Sequence, residues 1–261
     1  MTQELPPLTR RDRMRAATMG EITATARRLL VEQGPEAASL RAIAREMGMT
    51  APGLYRYYNS REELLRHVIA TIFRELSGDI NRAIDEAAIV LGPLDRAPSE
   101  AERRAHLTAK MVAACREFRR WGLSHKDEFG LLFGVPLPGL DDGRFDIAQQ
   151  CALEFAGTFY RLFIELWNAI GFPVPATAEI DQGLLPQIER FKEALRVNTP
   201  TGAMLVFLRC WILLYGAVAM EVFGHLGFAL HDPTPMFEYT LGDLARLVGL
   251  EYPLEPESTG F

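Results

Sequence analysis

Ser39-Leu-Arg-Ala-Ile-Ala-Arg-Glu-Met-Gly-Met-Thr-Ala-Pro-Gly-Leu-Tyr-Arg-Tyr-Tyr-Asn-Ser-Arg-Glu-Glu-Leu64 is the stretch that decides the fold of this 261-residue chain. Ser39 suits the N-cap of a short helix. Leu40, Ile43, Ala44 and Met47 follow at spacings of three and four and give that helix one apolar face. Gly48 fits the left-handed residue that closes a helix, and Met49 continues the turn. Thr50 can cap a second helix, where Pro52 is tolerated because first-turn N–H groups have no intrahelical acceptor. Two short helices around a Gly-containing turn predict a helix-turn-helix.

In the second helix, Leu54 and Tyr58 form an i,i+4 pair expected to point inward, leaving Ala51, Pro52, Tyr55 and Arg56 facing out. Small residues at the tip allow close approach to a groove, and a tyrosine and an arginine behind them can meet base edges and phosphates. Ser60-Arg-Glu-Glu63 reads as a capping box opening the next helix. The positive end of that helix and the charge of Arg61 suit a phosphate. Arg10, Arg11, Arg13 and Arg15 form a basic arm upstream.

Working outward, the apolar spacing predicts helices at roughly 10–33, 40–47, 51–57, 61–90, 99–125, 127–133, 144–171, 186–197, 201–227 and 235–249. No stretch alternates with strand period between turn signals, so the expected class is all-α. Gly34-Pro35, Gly92-Pro93 and Ala97-Pro98 mark breaks, and Gly/Pro-rich loops are expected at 134–143 and 171–186. The expected organisation is a helix-turn-helix domain over 10–70, a larger helical domain over 71–252, and a frayed Pro/Glu/Ser/Gly-rich tail over 253–261.

Composition narrows the function classes. Net charge is −6, but residues 1–75 carry 12 Lys/Arg against 9 Asp/Glu, while the remainder carries 16 against 25. A basic head on an acidic body suits local phosphate contact rather than coating of nucleic acid. Cys115, Cys151 and Cys210 lack metal spacing and sit in apolar stretches, as buried reduced thiols of a cytoplasmic protein would. Met1 to Arg15 contains no apolar run, so no signal peptide is expected. Ala203 to Met220 approaches bilayer length, but Arg209 at its middle favours a buried helix over a membrane span. Asp141-Asp142-Gly-Arg-Phe-Asp146 superficially resembles a metal-binding cluster. In a loop just before a helix, capping is the simpler role for its acids. No phosphate-binding Gly loop, nucleophile elbow or His-Glu-x-x-His stretch occurs, and neither an enzyme nor a cofactor is expected.

Ala42-Ile-Ala-Arg-Glu-Met-Gly48, followed by Gly53-Leu-Tyr-Arg-Tyr-Tyr-Asn-Ser-Arg-Glu-Glu-Leu64, resembles the N-terminal domain of the TetR (tetracycline repressor) family over about residues 14–70. Leu54-Tyr55, Tyr57 and Tyr58 fill the family's pattern, and Arg61 stands where the family has Lys, preserving the charge. The resemblance implies DNA reading by Arg41, Thr50, Ala51, Pro52, Gly53, Tyr55, Arg56 and Tyr57, with Arg61 on phosphate. Phe118-Arg-Arg-Trp-Gly-Leu-Ser-His125, Phe129-Gly-Leu-Leu-Phe-Gly134 and Trp211-Ile-Leu-Leu-Tyr-Gly216 look like the C-terminal domain of a subgroup named for Trp, His and Gly.

Phe155, Phe159, Phe163 and Trp167 recur every four positions. They serve either as core packing or as the wall of an apolar ligand pocket. The pocket reading names Trp121, His125, Phe129, Phe159, Phe163 and Trp167, with Tyr160, Glu165 and Asn168 as further polar candidates and His125 more simply a structural hydrogen-bonder. Around residues 203–220, Met204, Phe207, Leu208, Trp211, Ile212 and Tyr215 make one broad apolar face. Leu213 and Leu214 cover others, so a second subunit is expected to bury what one monomer leaves bare. The reading is a cytoplasmic, ligand-released repressor, a homodimer that binds double-stranded operator DNA and a small apolar ligand, with no membrane. The alternative is a helical small-molecule-binding protein without operator binding. A helical enzyme with a metal at Asp141–Asp146 stands third.

Overall fold

A computed structural model describes residues 9–34, 37–92, 99–134 and 146–252. Pro35, Pro93, the Ala97-Pro98 break, most of the 134–143 loop with Asp141 and Asp142, and the 253–261 tail lie outside the described residues. Among the described residues there are ten α-helices and no strand, as the all-α reading expects. In chain order they are α1 Arg10–Gln33, α2 Leu40–Glu46, α3 Ala51–Leu54, α4 Arg61–Leu91, α5 Glu100–Ser124, α6 Lys126–Phe133, α7 Ile147–Ile170, α8 Leu185–Leu195, α9 Thr201–Val222 and α10 Thr234–Leu247.

The chain divides into two compact units, Met1–Arg74 with Asp127–Ala152, and Glu75–Lys126 with Leu153–Phe261. The division falls inside α4, at the start of α6 and inside α7.

In the N-terminal unit, Ile22, Ala26, Leu29 and Leu30 line one face of α1 and are buried with Leu40, Ile43 and Ala44 of α2, Leu54 of α3, and Leu64, Leu65 and Val68 of α4. The periodic positions of the sequence are the buried ones because each helix has one apolar stripe to remove from water. Arg27 of α1 meets Glu128 of α6 at 3.3 Å. Asp146 caps α7, accepting from the Ala148 and Gln149 N–H groups, and pairs with Arg66 of α4 at 2.6 Å. Capping is therefore the role in which Asp146, the one described acid of that loop, is found.

In the C-terminal unit, Ser99 and Glu102 form a capping box at the start of α5. The core gathers Leu107, Phe163, Leu166, Phe172, Ile188, Ala203, Met204, Phe207, Ala245 and Val248. α9 packs on α5, α8 and α10. Among the described residues it is the single helix long and apolar enough to cross a bilayer, and 33% of its most apolar window is buried within the chain. Leu214 is buried, whereas Ile212 is 66% exposed.

Two helix ends differ from expectation. α3 stops at Leu54 instead of continuing to residue 57, because the N–H groups of both Tyr57 and Tyr58 turn back onto the Leu54 carbonyl, at 2.9 and 3.2 Å. α9 stops at Val222 rather than 227. Gly224 takes φ +73°, and His225 closes onto the Met220 carbonyl at 2.8 Å. The apolar residues Leu226, Phe228, Ala229 and Leu230 carry the hydrophobic pattern past this stop, which is why spacing alone overruns it.

Candidate nucleic-acid interface and apolar cavity

The motif is built as its residues dictate. The Ser39 hydroxyl accepts from the Ala42 N–H and caps α2. Gly48, at φ +64°, donates to the Arg45 carbonyl, and Met49 donates to that of Ala44. These two bonds are the pair that closes a helix through a left-handed residue, and only glycine adopts that backbone without strain. The Thr50 hydroxyl then accepts from the Gly53 N–H and caps α3. A Cβ at Gly53 would lie 3.1 Å from that hydroxyl, so the cap and the glycine fit each other.

Leu54 and Tyr58 are buried at 0% and 1% exposure, which turns the other side of α3 outward. Arg41, Thr50, Pro52, Tyr55 and Arg56 are exposed, while Ala51, Gly53 and Tyr57 are half-buried. All lie on α2, α3 or the turns beside them. The Thr50 hydroxyl accepts at the cap and keeps its own O–H as a donor, while its main-chain carbonyl accepts from Leu54. Arg61 is half-buried, and its Nε donates to the Ala38 carbonyl at 3.1 Å. At the start of α4, the Ser60 hydroxyl accepts from the Glu63 N–H, and the Glu63 carboxylate takes the backbone and side-chain amides of Asn59. Hydrogen bonds from its own N–H and from Ser60 hold the Glu62 carboxyl below its ordinary value. Arg15, forty-one positions before Arg56, donates to the Arg56 carbonyl at 3.1 Å, and its guanidinium lies 5.2 Å from the centre of the Tyr57 ring.

The aromatic residues of the C-terminal unit form a cluster in which Phe118, Phe155, Phe159 and Trp211 all stand within 6.0 Å of one another, centre to centre. Beside it lies an apolar cavity of about 40 Å³ lined by Met111, Cys115, Phe159, Leu162, Phe163, Phe207, Cys210, Trp211, Leu214 and Leu244. Of the six aromatic and histidine candidates, Phe159 and Phe163 line it. Trp121, His125 and Trp167 do not: His125 stacks on Trp121 at 4.8 Å and bonds to its carbonyl, and Trp167 packs on Phe172. Phe129 belongs to the N-terminal unit, packed on Phe133, which in turn meets Phe73. The polar candidates are engaged elsewhere or exposed. Tyr160 bonds to Thr199, Glu165 pairs with Lys110, and Asn168 faces solvent.

The cavity residues that sequence reasoning missed share a legible signal. Met111 and Cys115 are four apart on α5, and Phe207, Cys210, Trp211 and Leu214 follow helix spacing on α9. Burial pushes both thiols up to about 12, with the Cys210 thiol adding to the effect on Cys115. A second hollow, a groove of about 290 Å³, runs along the exposed side of α9 and α10 past Ile212, Leu213, Gly216, Ala217, Met220 and Met236. Among the described residues no three His, Cys, Asp or Glu side chains gather as a metal site would require.

An all-helical chain with a capped helix-turn-helix near its start and a larger helical unit behind it defines a DNA-binding transcriptional regulator. Residues 22–68 match the family of bacterial regulatory proteins called the tetR family, and residues 111–244 match the tetracyclin repressor-like C-terminal domain. The chain belongs to the TetR family. The HTH-type transcriptional regulators Mb1846 of Mycobacterium bovis and Rv1816 of Mycobacterium tuberculosis are each 29% identical over 226 residues, covering 84% of this chain and 86% of theirs. The solved structure of SCO4313, described as a regulatory protein, is 25% identical, covers 90% of this chain and 98% of its own, and superposes with a TM-score of 0.64. A protein from Rhodococcus sp. RHA1 shares the fold at 18% identity, with 89% and 94% coverage and a TM-score of 0.56.

Proposed function

We propose that this regulator is a cytoplasmic, ligand-released repressor that acts as a homodimer on operator DNA. The observation that carries the reading is the outward Tyr55-Arg56 pair on a short helix whose opposite side, Leu54 and Tyr58, is locked into a core. Arg41, Thr50, Ala51, Pro52, Gly53, Tyr55, Arg56 and Tyr57 then read the operator, and Arg61 takes a phosphate. Residues 10–70 act as the reader, and 71–252 hold the ligand and the partner. The stacked Trp121 and His125 favour the Trp-His-Gly subgroup for the second domain. No catalytic activity is assigned.

The dimer rests on the face of α9 and α10. Ile212, Met236 and Tyr239 are 66%, 48% and 58% exposed, beside a groove floored by Gly216 and Ala217. Contiguous exposed apolar surface of this kind marks an interface. Ile212, rather than the inward Leu214, is the position to probe. Ile212→Glu should give a monomer by light scattering at micromolar concentration while the wild type gives a dimer.

The ligand site is the cavity of Phe159, Phe163 and Trp211, which Trp167 approaches only through Phe172; Trp121, His125 and Phe129 do not line it. At about 40 Å³ it falls well below the roughly 300–1,000 Å³ of an ordinary ligand pocket. An apolar occupant of drug size must therefore spread α5, α7 and α9, so binding itself drives a change of shape. α7 carries Phe159 and Phe163, and its first turn is capped by Asp146, the partner of Arg66 on α4. α4 begins at Arg61, just past the Tyr55–Tyr57 turn. Allosteric couplings are typically about 1–3 kcal/mol, so the ligand should weaken operator binding about 5- to 150-fold, and operator must weaken ligand binding by the same factor. A ligand found by thermal shift, titrated with and without operator, tests this. Equal affinity in both conditions removes the switch.

A further inference from the structure

We infer that Arg15 is a positioning residue for DNA reading, a latch from α1 that fixes the Tyr55–Tyr57 turn, rather than one more phosphate contact of the basic arm. The inference rests on the reading of Tyr55 and Arg56 as DNA contacts. α3 has only four residues, and the turn behind it hangs on two N–H bonds to a single carbonyl, that of Leu54. A helix this short leaves its last carbonyls without intrahelical donors. The Arg15 Nη2 supplies a donor to the turn just past its end, at the Arg56 carbonyl, 3.1 Å away. The same guanidinium covers the face of the Tyr57 ring. One rigid, planar group thus holds the main chain of one residue and the side chain of the next.

The other end of the latch is firm. α1 is 24 residues long, opened by a Thr9–Asp12 capping box and anchored downstream by Ile22, Ala26, Leu29 and Leu30. Tyr58, on the far side of the turn, is also fixed in the core. The exposed Tyr55 and Arg56 therefore lie between a capped helix on one side and Tyr58 with Arg15 on the other. Removing Arg15 frees the reader without unfolding the unit.

The test uses the full chain, wild type and the variants Arg15→Ala and Arg15→Lys. Hydrogen exchange in the free protein reports the latch without DNA. The Tyr57 and Tyr58 amides should exchange about 3- to 10-fold faster in Arg15→Ala, with Arg15→Lys between it and wild type, while the α2 amides stay unchanged. Unchanged exchange at Tyr57 and Tyr58 overturns the latch. On DNA recovered by wild-type selection from a random pool, Arg15→Ala should lose a similar factor in the ratio of specific to non-specific affinity, with the salt slope unaltered. A slope smaller by about one, with equal weakening on all sequences, makes Arg15 a phosphate contact and overturns the inference. If wild type selects no sequence, the operator reading fails, and the exchange measurement still decides the latch.

Discussion

The hydroxyls of Thr23 and Tyr58 meet 3.0 Å apart in the buried core of the N-terminal unit. Thr23 also lies 2.9 Å from the Met19 carbonyl, to which it donates its proton, so Tyr58 is the donor in the pair. Burial, the largest influence, raises the Tyr58 phenol above its ordinary value, and the contact with the Thr23 hydroxyl only partly offsets it. The bond ties α1 to the turn behind the reader. Tyr58→Phe leaves Thr23 satisfied by Met19 and should cost about 1 kcal/mol, whereas Thr23→Val strands a buried phenol and should cost about 1–3 kcal/mol. Urea unfolding of the two variants checks the asymmetry. A larger loss for Tyr58→Phe contradicts it.

DNA affinity should separate the readers from the phosphate contact. Arg41→Ala and Tyr55→Ala each remove an exposed side chain and should weaken the operator about tenfold or more with an unchanged unfolding midpoint. Arg61→Ala should instead lower the salt slope by about one on every sequence. It should also lose stability, because the tie to the Ala38 carbonyl goes with the side chain. Gel-shift titrations over a range of salt distinguish the two patterns. An unaltered slope in Arg61→Ala removes it from phosphate.

Much of this architecture was legible because each signal was local. Ser39, Gly48 and Thr50 mark ends that depend on a few neighbouring residues, and all three do in the structure what their chemistry suggests. The inward pair Leu54 and Tyr58 follows from helix spacing alone. The cavity was harder to read. Phe155, Phe159, Phe163 and Trp167 have one spacing but several environments, because which aromatic faces a void depends on what α5 and α9 bring opposite it. Phe129 is near Trp121 in sequence, yet the chain changes unit between them. Arg15 belonged to a run of similar arginines, and nothing local separates the one that reaches Arg56, forty-one positions away.

The cavity thiols should be inert. With Cys115 raised from its ordinary 9.0 to about 12 by burial, its thiolate population at neutral pH is about a thousandfold below that of a free cysteine. Alkylation of the native protein, read by peptide mass spectrometry, should spare Cys115 and Cys210 and proceed readily in urea. Comparable rates in the two conditions contradict a closed cavity.

Acid should loosen the C-terminal end. Burial, the largest single influence, raises the Glu238 carboxyl, but hydrogen bonds from Arg116 and Tyr252 and the charges of Arg116 and Arg119 together draw it below its ordinary 4.5. A carboxyl depressed in the folded state contributes stability above its unfolded pKa and loses it as pH falls through the folded one. Arg116 is 52% exposed, so the gain at neutral pH is at most about 1 kcal/mol. The stability difference between wild type and Glu238→Gln should therefore be present at pH 7 and close below about pH 4. A difference independent of pH assigns Glu238 a packing role only.

The most direct measurement is selection from random double-stranded DNA, followed by sequencing and a determination of stoichiometry on the recovered site. The account predicts one enriched pseudo-palindrome, bound by two chains, with half-sites centred about one helical turn apart or a multiple of it. Arg41→Ala and Tyr55→Ala should lose discrimination within each half-site. Recovery of no enriched sequence by a folded, dimeric protein would contradict it.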